Sequence, residues 1–297
     1  MAKPQLAIGI DVGGTRIKAV AMQPDGRITV EQIKPTVDDV ESLVATIGGL
    51  IKELGPAGAA VGISAPGIAA RNNRSIAWMR GRLQAVEGLN WQRRLGRNIW
   101  VLNDAHAAAT GEAWIGAARG TAIAVMLTLG TGVGGGVIFG GRLLQGATGR
   151  AGHFGHISIN MDGPPDIVGM PGSLEDCIGN HNLHERSGGR FRDTAEMLKA
   201  AAAGDEAANS CWQRSVRRLA VGVASIINSF DPEMVVLGGG IAECGPALFE
   251  PLQEYLDEVE WRPTGVRVRV VAAKLGDRAG AIGAARFAAV KRAEEHD

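Results

Sequence analysis

Apolar residues fall into short runs of strand length, separated by longer stretches with helical spacing. The strand-like runs are Leu6–Ile10, Ile17–Met22, Arg27–Lys34, Ala59–Ser64, Ile99–Leu102, Ala122–Leu129 and Gly135–Phe139, then Ile157–Ile159, Met234–Leu237 and Val266–Ala272. Helical patterns cover about Asp39–Leu54, Ala105–Ala118, Leu174–Arg186, Ala195–Ala203, Trp212–Phe230 and Ala279–Glu294. Asp38 with Glu41 reads as a capping box, and Ser173 with Asp176 as a weaker one. Strands interleaved with helices predict an α/β chain with mixed sheets.

The pattern also repeats. IGIDVGGTRIKAV and LTLGTGVGGGVIF each read as apolar strand, Gly/Thr hairpin, apolar strand, about half a chain apart. At each tip the backbone N–H groups and a threonine hydroxyl form a concavity suited to an anion. Either hairpin alone reads as readily as an ordinary turn; the pair favours a polyphosphate.

Composition narrows the class. Hydrophobic residues make up 45% and charged residues 21% of the 297, so a sizeable core can be buried and disorder is excluded as the main state. Lys plus Arg equals Asp plus Glu at 31 each, so no long-range field favours nucleic acid or acidic lipid. The 3 cysteines, Cys177, Cys211 and Cys244, have no metal-type spacing and suit a reducing compartment. The start is too short and too early broken by Asp11 for a secretory segment. The uncharged stretch Thr121–Gly141 is rich in glycine and threonine, which suits a turn between strands better than a membrane helix. A cytoplasmic protein is therefore expected. Glycine is the outlier at 43 residues, about twice ordinary usage, with no G-X-Y period. Such residues mark sharp turns or close backbone approach.

Two further segments carry candidate chemistry. Gly238, Gly239 and Gly240 end the strand MVVLGGG, where glycines permit a flat group such as adenine to approach; many strand-to-helix turns are glycine-rich for steric reasons alone. In IWVLNDAHAAATGE a strand delivers Asn103 and Asp104 to the start of a helix. A carboxylate there can accept a hydroxyl proton while the helix N-terminus keeps it ionised. Plain helix capping is the competing role for both residues.

IGIDVGGTRIK, GISAPG, LNDAHAAATGE, TLGTGVGGGVI, GHFGHISI, GSLED and VVLGGGI resemble, in order, the successive motifs of the ROK family of bacterial sugar kinases and related repressors. The resemblance implies a two-domain, actin-like ATPase (ribonuclease H-like) fold with a nucleotide and sugar cleft between domains. The expected domains are 1–118 with the helix 279–297, and 119–278. ATP and Mg²⁺ are the implied cofactors. Asp11, Gly13, Gly14 and Thr15, with Thr131 and Gly132, would hold phosphates, and Asp11 would lie near Mg²⁺ through phosphates or water. Gly238 to Gly240 would lie by the adenosine, and Asp104 would deprotonate the sugar hydroxyl. Gly67, Asn103, His156 and Glu175 would hold the sugar's other hydroxyls. Family habit adds the 6-hydroxyl and a homodimer. The repressor branch carries a helix-turn-helix ahead of the first hairpin, which here begins at Asp11, so no nucleic-acid or membrane partner is expected.

Two departures stand out. The family's zinc run, Cys-x-Cys-Gly-x-x-Gly-Cys-x-Glu, reads here as Asp166-Ile167-Val168-Gly169-Met170-Pro171-Gly172-Ser173-Leu174-Glu175. Asp166, Val168 and Ser173 stand at the thiolate positions and only His156 survives, so no structural zinc is expected. A substitute site from His153, His156, His181 and His184 is weaker, because polar loop histidines are mostly hydrogen-bonded. The second departure is His153 in Gly152-His153-Phe154-Gly155-His156, where the family has glutamate. Either His153 reads the sugar with one donor and one acceptor, or it turns away and leaves recognition to Asp104 and Glu175. The expected activity is ATP-dependent phosphorylation of a hexose-like sugar; a non-catalytic sugar sensor and an ATPase using water remain the rivals.

Overall fold

The computed structural model describes residues 6–295. The chain begins β1 (Ala7–Val12), β2 (Arg16–Met22), β3 (Ile28–Pro35), α1 (Val40–Leu54), β4 (Ala60–Ala65). Two short strands, β5 (Ile68–Ala69) and β6 (Ile76–Trp78), precede α2 (Trp91–Leu95), β7 (Ile99–Asn103) and α3 (Asp104–Ile115). Next come β8 (Ile123–Leu129), β9 (Val133–Phe139), β10 (Arg142–Leu143), α4 (Leu174–Ile178), α5 (Leu183–Arg186), α6 (Thr194–Ala202) and α7 (Glu206–Phe230). The chain closes with β11 (Met234–Gly238), α8 (Pro246–Val259), β12 (Arg269–Ala272) and α9 (Ala279–Glu294).

These elements form two units: the described parts of Met1–Gly120, Gly136–Ala151 and Lys274–Asp297, and Thr121–Gly135 with Gly152–Ala273. In the first, the sheet runs β3-β2-β1-β4-β7, with β1, β4 and β7 parallel. Every residue of β4 and all but Asp11 of β1 are buried, as expected for strands covered on both faces. Leu43, Ile47 and Leu50 of α1 pack on Ile8, Ile10 and Val61. The opposite face carries α9, and there glycine sets the spacing. A Cβ on Gly9 would stand 1.8 Å from the Ala281 carbonyl oxygen, and one on Gly62 2.0 Å from that of Ala284. On the far side of α9, a Cβ on Gly283 would stand 1.6 Å from the Ala107 carbonyl oxygen of α3. Backbone therefore lies directly on backbone.

In the second unit β8, β11 and β12 are parallel neighbours. β9 leaves β8 through a glycine turn and carries the chain into the first unit, where it pairs with β10. α7 packs on α8, and Trp212 Nε1 donates to the Ala247 carbonyl at 2.9 Å. That oxygen lacks its helical partner, because Pro251 inside α8 has no N–H.

Several expectations shift. The first helix is capped by Asp39, whose side chain accepts from the Ser42 N–H, so Asp38 is free to pair with Arg82. The single helix expected over 174–186 is broken at Gly179 into α4, a 3₁₀ turn and α5. No strand forms at 157–159; Ser158 makes only an isolated bridge to Ser173. α7 starts at Glu206, capped by Asp205, and α8 has no counterpart in the sequence reading. Of the expected C-terminal helix, residues 296–297 lie outside the described residues.

Candidate active site

Because β1, β4 and β7 run parallel, their carboxyl ends meet at one edge, and that edge collects Asp11, Ser64, Gly67, Asn103 and Asp104. Asp11 Oδ1 accepts from Ser64 Oγ at 2.7 Å. Gly280 in the first turn of α9 is pressed against the carboxylate, where a Cβ would come within 2.8 Å of Oδ1. A helix N-terminus favours an anion at that place. Burial nonetheless pushes the Asp11 carboxyl up to about 6; Ser64 lowers it, Asp104 raises it, Lys18 lowers it and Asp277 raises it. Lys18 is itself committed to Asp277, through Oδ2 at 3.1 Å and the carbonyl at 2.9 Å. Acidic charge exceeds basic charge at this edge, which fits a divalent cation. Among the described residues no group of three His, Cys, Asp or Glu could cage an ion, so the fit is to hydrated Mg²⁺, which keeps several waters and binds through one or two carboxylates.

The β1–β2 turn is braced from behind. Gly13 N–H closes it on the Arg16 carbonyl at 3.1 Å. The carbonyl of Gly13 accepts from Thr36 Oγ1 at 2.7 Å, that of Gly14 from Arg82 Nη1 at 2.7 Å, and that of Thr15 from Thr36 N at 3.0 Å. A trans peptide points its N–H opposite its C=O, so the Gly14 and Thr15 amides point away from these braces. A Cβ on Gly14 would meet nothing within 4 Å. Such outward amides form the concavity that binds anions.

At the mouth of α3 the capping role falls to Asn103. Its side-chain oxygen accepts from His106 N at 3.0 Å, and its Nδ2 donates to Gly67 O and to Asp104 Oδ1, both at 2.9 Å. Asp104 is the first helical residue, its Oδ1 also accepting from Ala105 N at 2.8 Å. Gly67 has φ +95, and a Cβ there would stand 2.4 Å from the Trp78 carbonyl oxygen, so the turn that presents its carbonyl to Asn103 requires glycine. Deep in α3, His106 Nε2 lies 2.7 Å from the Ala151 carbonyl oxygen, and burial pulls its imidazole down, keeping it neutral.

In the second unit, Gly238 lies opposite Thr128, so the turns after β8 and β11 are neighbours. Ile241 N–H donates to Leu129 O at 3.0 Å. Gly239 has φ +83 and no room for a Cβ, 2.4 Å from that same carbonyl oxygen, whereas at Gly240 the space is open. Thr131, Gly132, Gly238, Gly239 and Gly240 are thus brought together. Glu175 Oε2 accepts from Val133 N at 2.9 Å and would stand 2.2 Å from a Cβ on Gly132. Asn180 N donates to Gly130 O and His181 N to Thr131 O, both at 2.9 Å. The expected sugar contact Glu175 and the expected phosphate turn are one hydrogen-bonded assembly.

The loop before α4 is organised without thiolates. The Asp166 carboxylate accepts from Val168 N and Met170 N at 2.9 Å each and faces His156 Nδ1 at 2.8 Å. Val168 is exposed, and Ser173 caps α4 by accepting from Asp176 N at 3.2 Å. His181 Nε2 engages Asp176 at 2.8 Å, and its Nδ1 lies 2.9 Å from Thr131 O. Chelator-free protein is expected to hold well under one zinc per chain by elemental analysis; a stoichiometric ion would contradict this. His153, partly buried, precedes a short 3₁₀ turn, and Arg150 is exposed, donating to Thr148 Oγ1 at 3.1 Å. Sequence reasoning missed Ser64, Lys18, Thr36, Arg82 and Gly280. Ser64 was visible inside GISAPG; the others depend on packing between distant segments.

Two α/β units, each with glycine turns at the carboxyl ends of parallel strands, define an actin-like ATPase fold. The chain belongs to the ROK family, which it matches over residues 7–291. It is 32% identical to a glucokinase of Thermotoga maritima, covering 94% of this chain and 95% of that protein. An N-acetyl-D-glucosamine kinase of Photobacterium profundum is 31% identical, over 93% of this chain and 97% of its own. A ROK family glucokinase from Streptomyces griseus, solved in complex with glucose and AMPPNP, superposes with a TM-score of 0.76 at 30% identity, over 95% and 99% of the two chains. Among the described residues, no helix is long and apolar enough to cross a membrane.

Proposed function

We propose that this ROK sugar kinase transfers the γ-phosphoryl group of ATP to a hydroxyl, by preference the 6-hydroxyl, of a hexose or hexose derivative, with Asp104 as general base. The observation that carries the reading is the division of labour at α3: Asn103 caps the helix and orients Asp104, whose carboxylate is not needed as the cap. The names of the relatives support the substrate class, and the ATP analogue bound to the Streptomyces griseus glucokinase supports the donor. Phosphoryl transfer asks mainly for positioning and charge neutralisation. The turn Gly13 to Thr15, through the amides of Gly14 and Thr15, and the amides of Thr131 and Gly132 orient the phosphates; Gly238 to Gly240 admit the adenosine; Asp104 takes the hydroxyl proton. Mg²⁺, when bound, neutralises phosphate charge, and Asp11 would hold it through water or phosphate oxygens. Gly67, Asn103, His153, His156 and Glu175 are the proposed sugar contacts. A homodimer in the cytoplasm belongs to the same proposal.

ADP release measured over a panel of hexoses and amino sugars, against a no-sugar control, tests it. Turnover only with a sugar is expected; equal turnover without sugar would make water the acceptor, and binding without turnover would make the protein a sensor. Within the panel, glucose is expected to be a poor substrate. A carboxylate accepts from two neighbouring hydroxyls, whereas an imidazole has at most one acceptor nitrogen. A hydroxyl left unpaired costs about 1–3 kcal/mol, roughly one to two orders of magnitude in affinity. His153→Glu should raise kcat/KM for glucose relative to other hexoses; an unchanged ranking would contradict a role for His153.

A further inference from the structure

We infer that Asp166 is a positioning residue that fixes the tautomer of His156, holding the proton on Nδ1 and leaving Nε2 as an acceptor for a substrate hydroxyl. The inference rests on the sugar-kinase reading above and adds to it the direction of one hydrogen bond.

The Asp166 side chain is 0% exposed while that of His156 is 27% exposed. A buried carboxylate persists when its oxygens are satisfied by donors. Here Oδ1 receives two backbone N–H groups, from Val168 and Met170, and Oδ2 faces only the imidazole. Burial pushes the carboxyl up, but the His156 and backbone hydrogen bonds together hold it below the ordinary carboxylate value. An ionised carboxylate accepts and cannot donate, so the proton in the His156–Asp166 bond belongs to Nδ1. In neutral imidazole the other nitrogen is then an acceptor. A carboxylate behind an imidazole orients the ring as outer-shell carboxylates do for metal-bound histidines. The sequence places this carboxylate immediately after Gly163-Pro164-Pro165 and two residues before Val168, so the loop that supplies it also shields it.

Asp166→Asn separates orientation from packing. Its amide oxygen must stay against the Val168 and Met170 N–H groups, because an NH₂ there would face two donors. The NH₂ therefore falls opposite His156 Nδ1 and donates to it, which moves the ring proton to Nε2. Long-range ¹H–¹⁵N NMR at pH about 8, where imidazole is neutral, reads both states directly, with His156→Gln assigning the signals. Wild type should show protonated Nδ1 and bare Nε2, and Asp166→Asn the reverse. The sugar KM of Asp166→Asn should rise roughly ten- to hundredfold, since Nε2–H now opposes a donor, with the ATP KM unchanged and kcat within a few-fold. Titrating the panel sugar of highest turnover into wild type should shift Nε2 and leave Nδ1, a readout that does not depend on the variant folding. Bare Nδ1 in wild type, no tautomer reversal in a folded Asp166→Asn, or a reversal that leaves the sugar KM unmoved would each overturn the inference. Absence of sugar-dependent turnover in wild type would instead overturn the kinase reading, which the tautomer measurement does not touch.

Discussion

Asp104→Asn is expected to cut phosphoryl transfer by about 10²–10⁴, the usual cost of losing a general base, while nucleotide affinity stays nearly constant. The amide keeps the carboxylate's shape. Its oxygen can still accept from Asn103 Nδ2 and Ala105 N–H, the two bonds made by Asp104 Oδ1, so the mouth of α3 stays in place. The helix cap is untouched because Asn103 provides it. What is removed is the negative charge and, with it, the capacity to take a proton. The turns proposed for the nucleotide are at 13–15, 131–132 and 238–240, and none of the Asp104 hydrogen bonds described above reaches them. Steady-state rates with nucleotide-binding titrations check both halves. Near-wild-type turnover of the folded variant would return Asp104 to a structural role at the head of α3.

The second large effect is on stability. In an exposed helix Gly→Ala stabilises by about 1 kcal/mol. Gly283→Ala should do the reverse, because its Cβ would enter 1.6 Å from Ala107 O, 2.4 Å from Ala107 C and 2.9 Å from Gly111 N. All three are backbone atoms, so no flexible side chain can swing aside. Overpacking costs typically about 1–3 kcal/mol, and a clash of this kind belongs at or beyond the upper end. At about 2–4 °C per kcal/mol for a chain of this size class, Tm should fall by roughly 6–12 °C or the protein should fail to accumulate. Gly49→Ala on α1, where a Cβ meets nothing within 4 Å, is the control and should melt at or slightly above wild type. Equal melting of Gly283→Ala and wild type would mean that α9 does not lie on α3 as described.

The contrast between these glycines shows what could be read from the chain. Strand runs and glycine turns were legible because each is local: an apolar run ending in Asp11 or Asn103, then residues that favour turns and caps. Collinear motifs made the family legible as well. The failures have physical causes. α8 was hidden by Pro251, since a proline inside a helix normally breaks it; Trp212, 35 residues earlier than Ala247, supplies the missing donor. The break at Gly179 follows from its neighbours: a Cβ there would stand 2.8 Å from both Glu175 O and Thr131 O. α3 and α9 are buried on nearly every side, so their alanines and glycines carry no amphipathic pattern that tells which face meets the sheet. The braces of the β1–β2 turn, Thr36 and Arg82, are 21 and 67 residues beyond Thr15 and belong to no motif. Asp166 was read as a lost zinc ligand; that it would become the centre of a hydrogen-bonded loop depended on the backbone of Val168 and Met170, which no residue identity announces.

Direct detection of the product tests the central claim. Wild-type protein with ATP, Mg²⁺ and the preferred panel sugar should form a sugar phosphate, identified by ³¹P NMR and mass, in one-to-one ratio with ADP, and Asp104→Asn should form essentially none. ADP accompanied by inorganic phosphate in place of sugar phosphate, or equal sugar phosphate from both proteins, would contradict it.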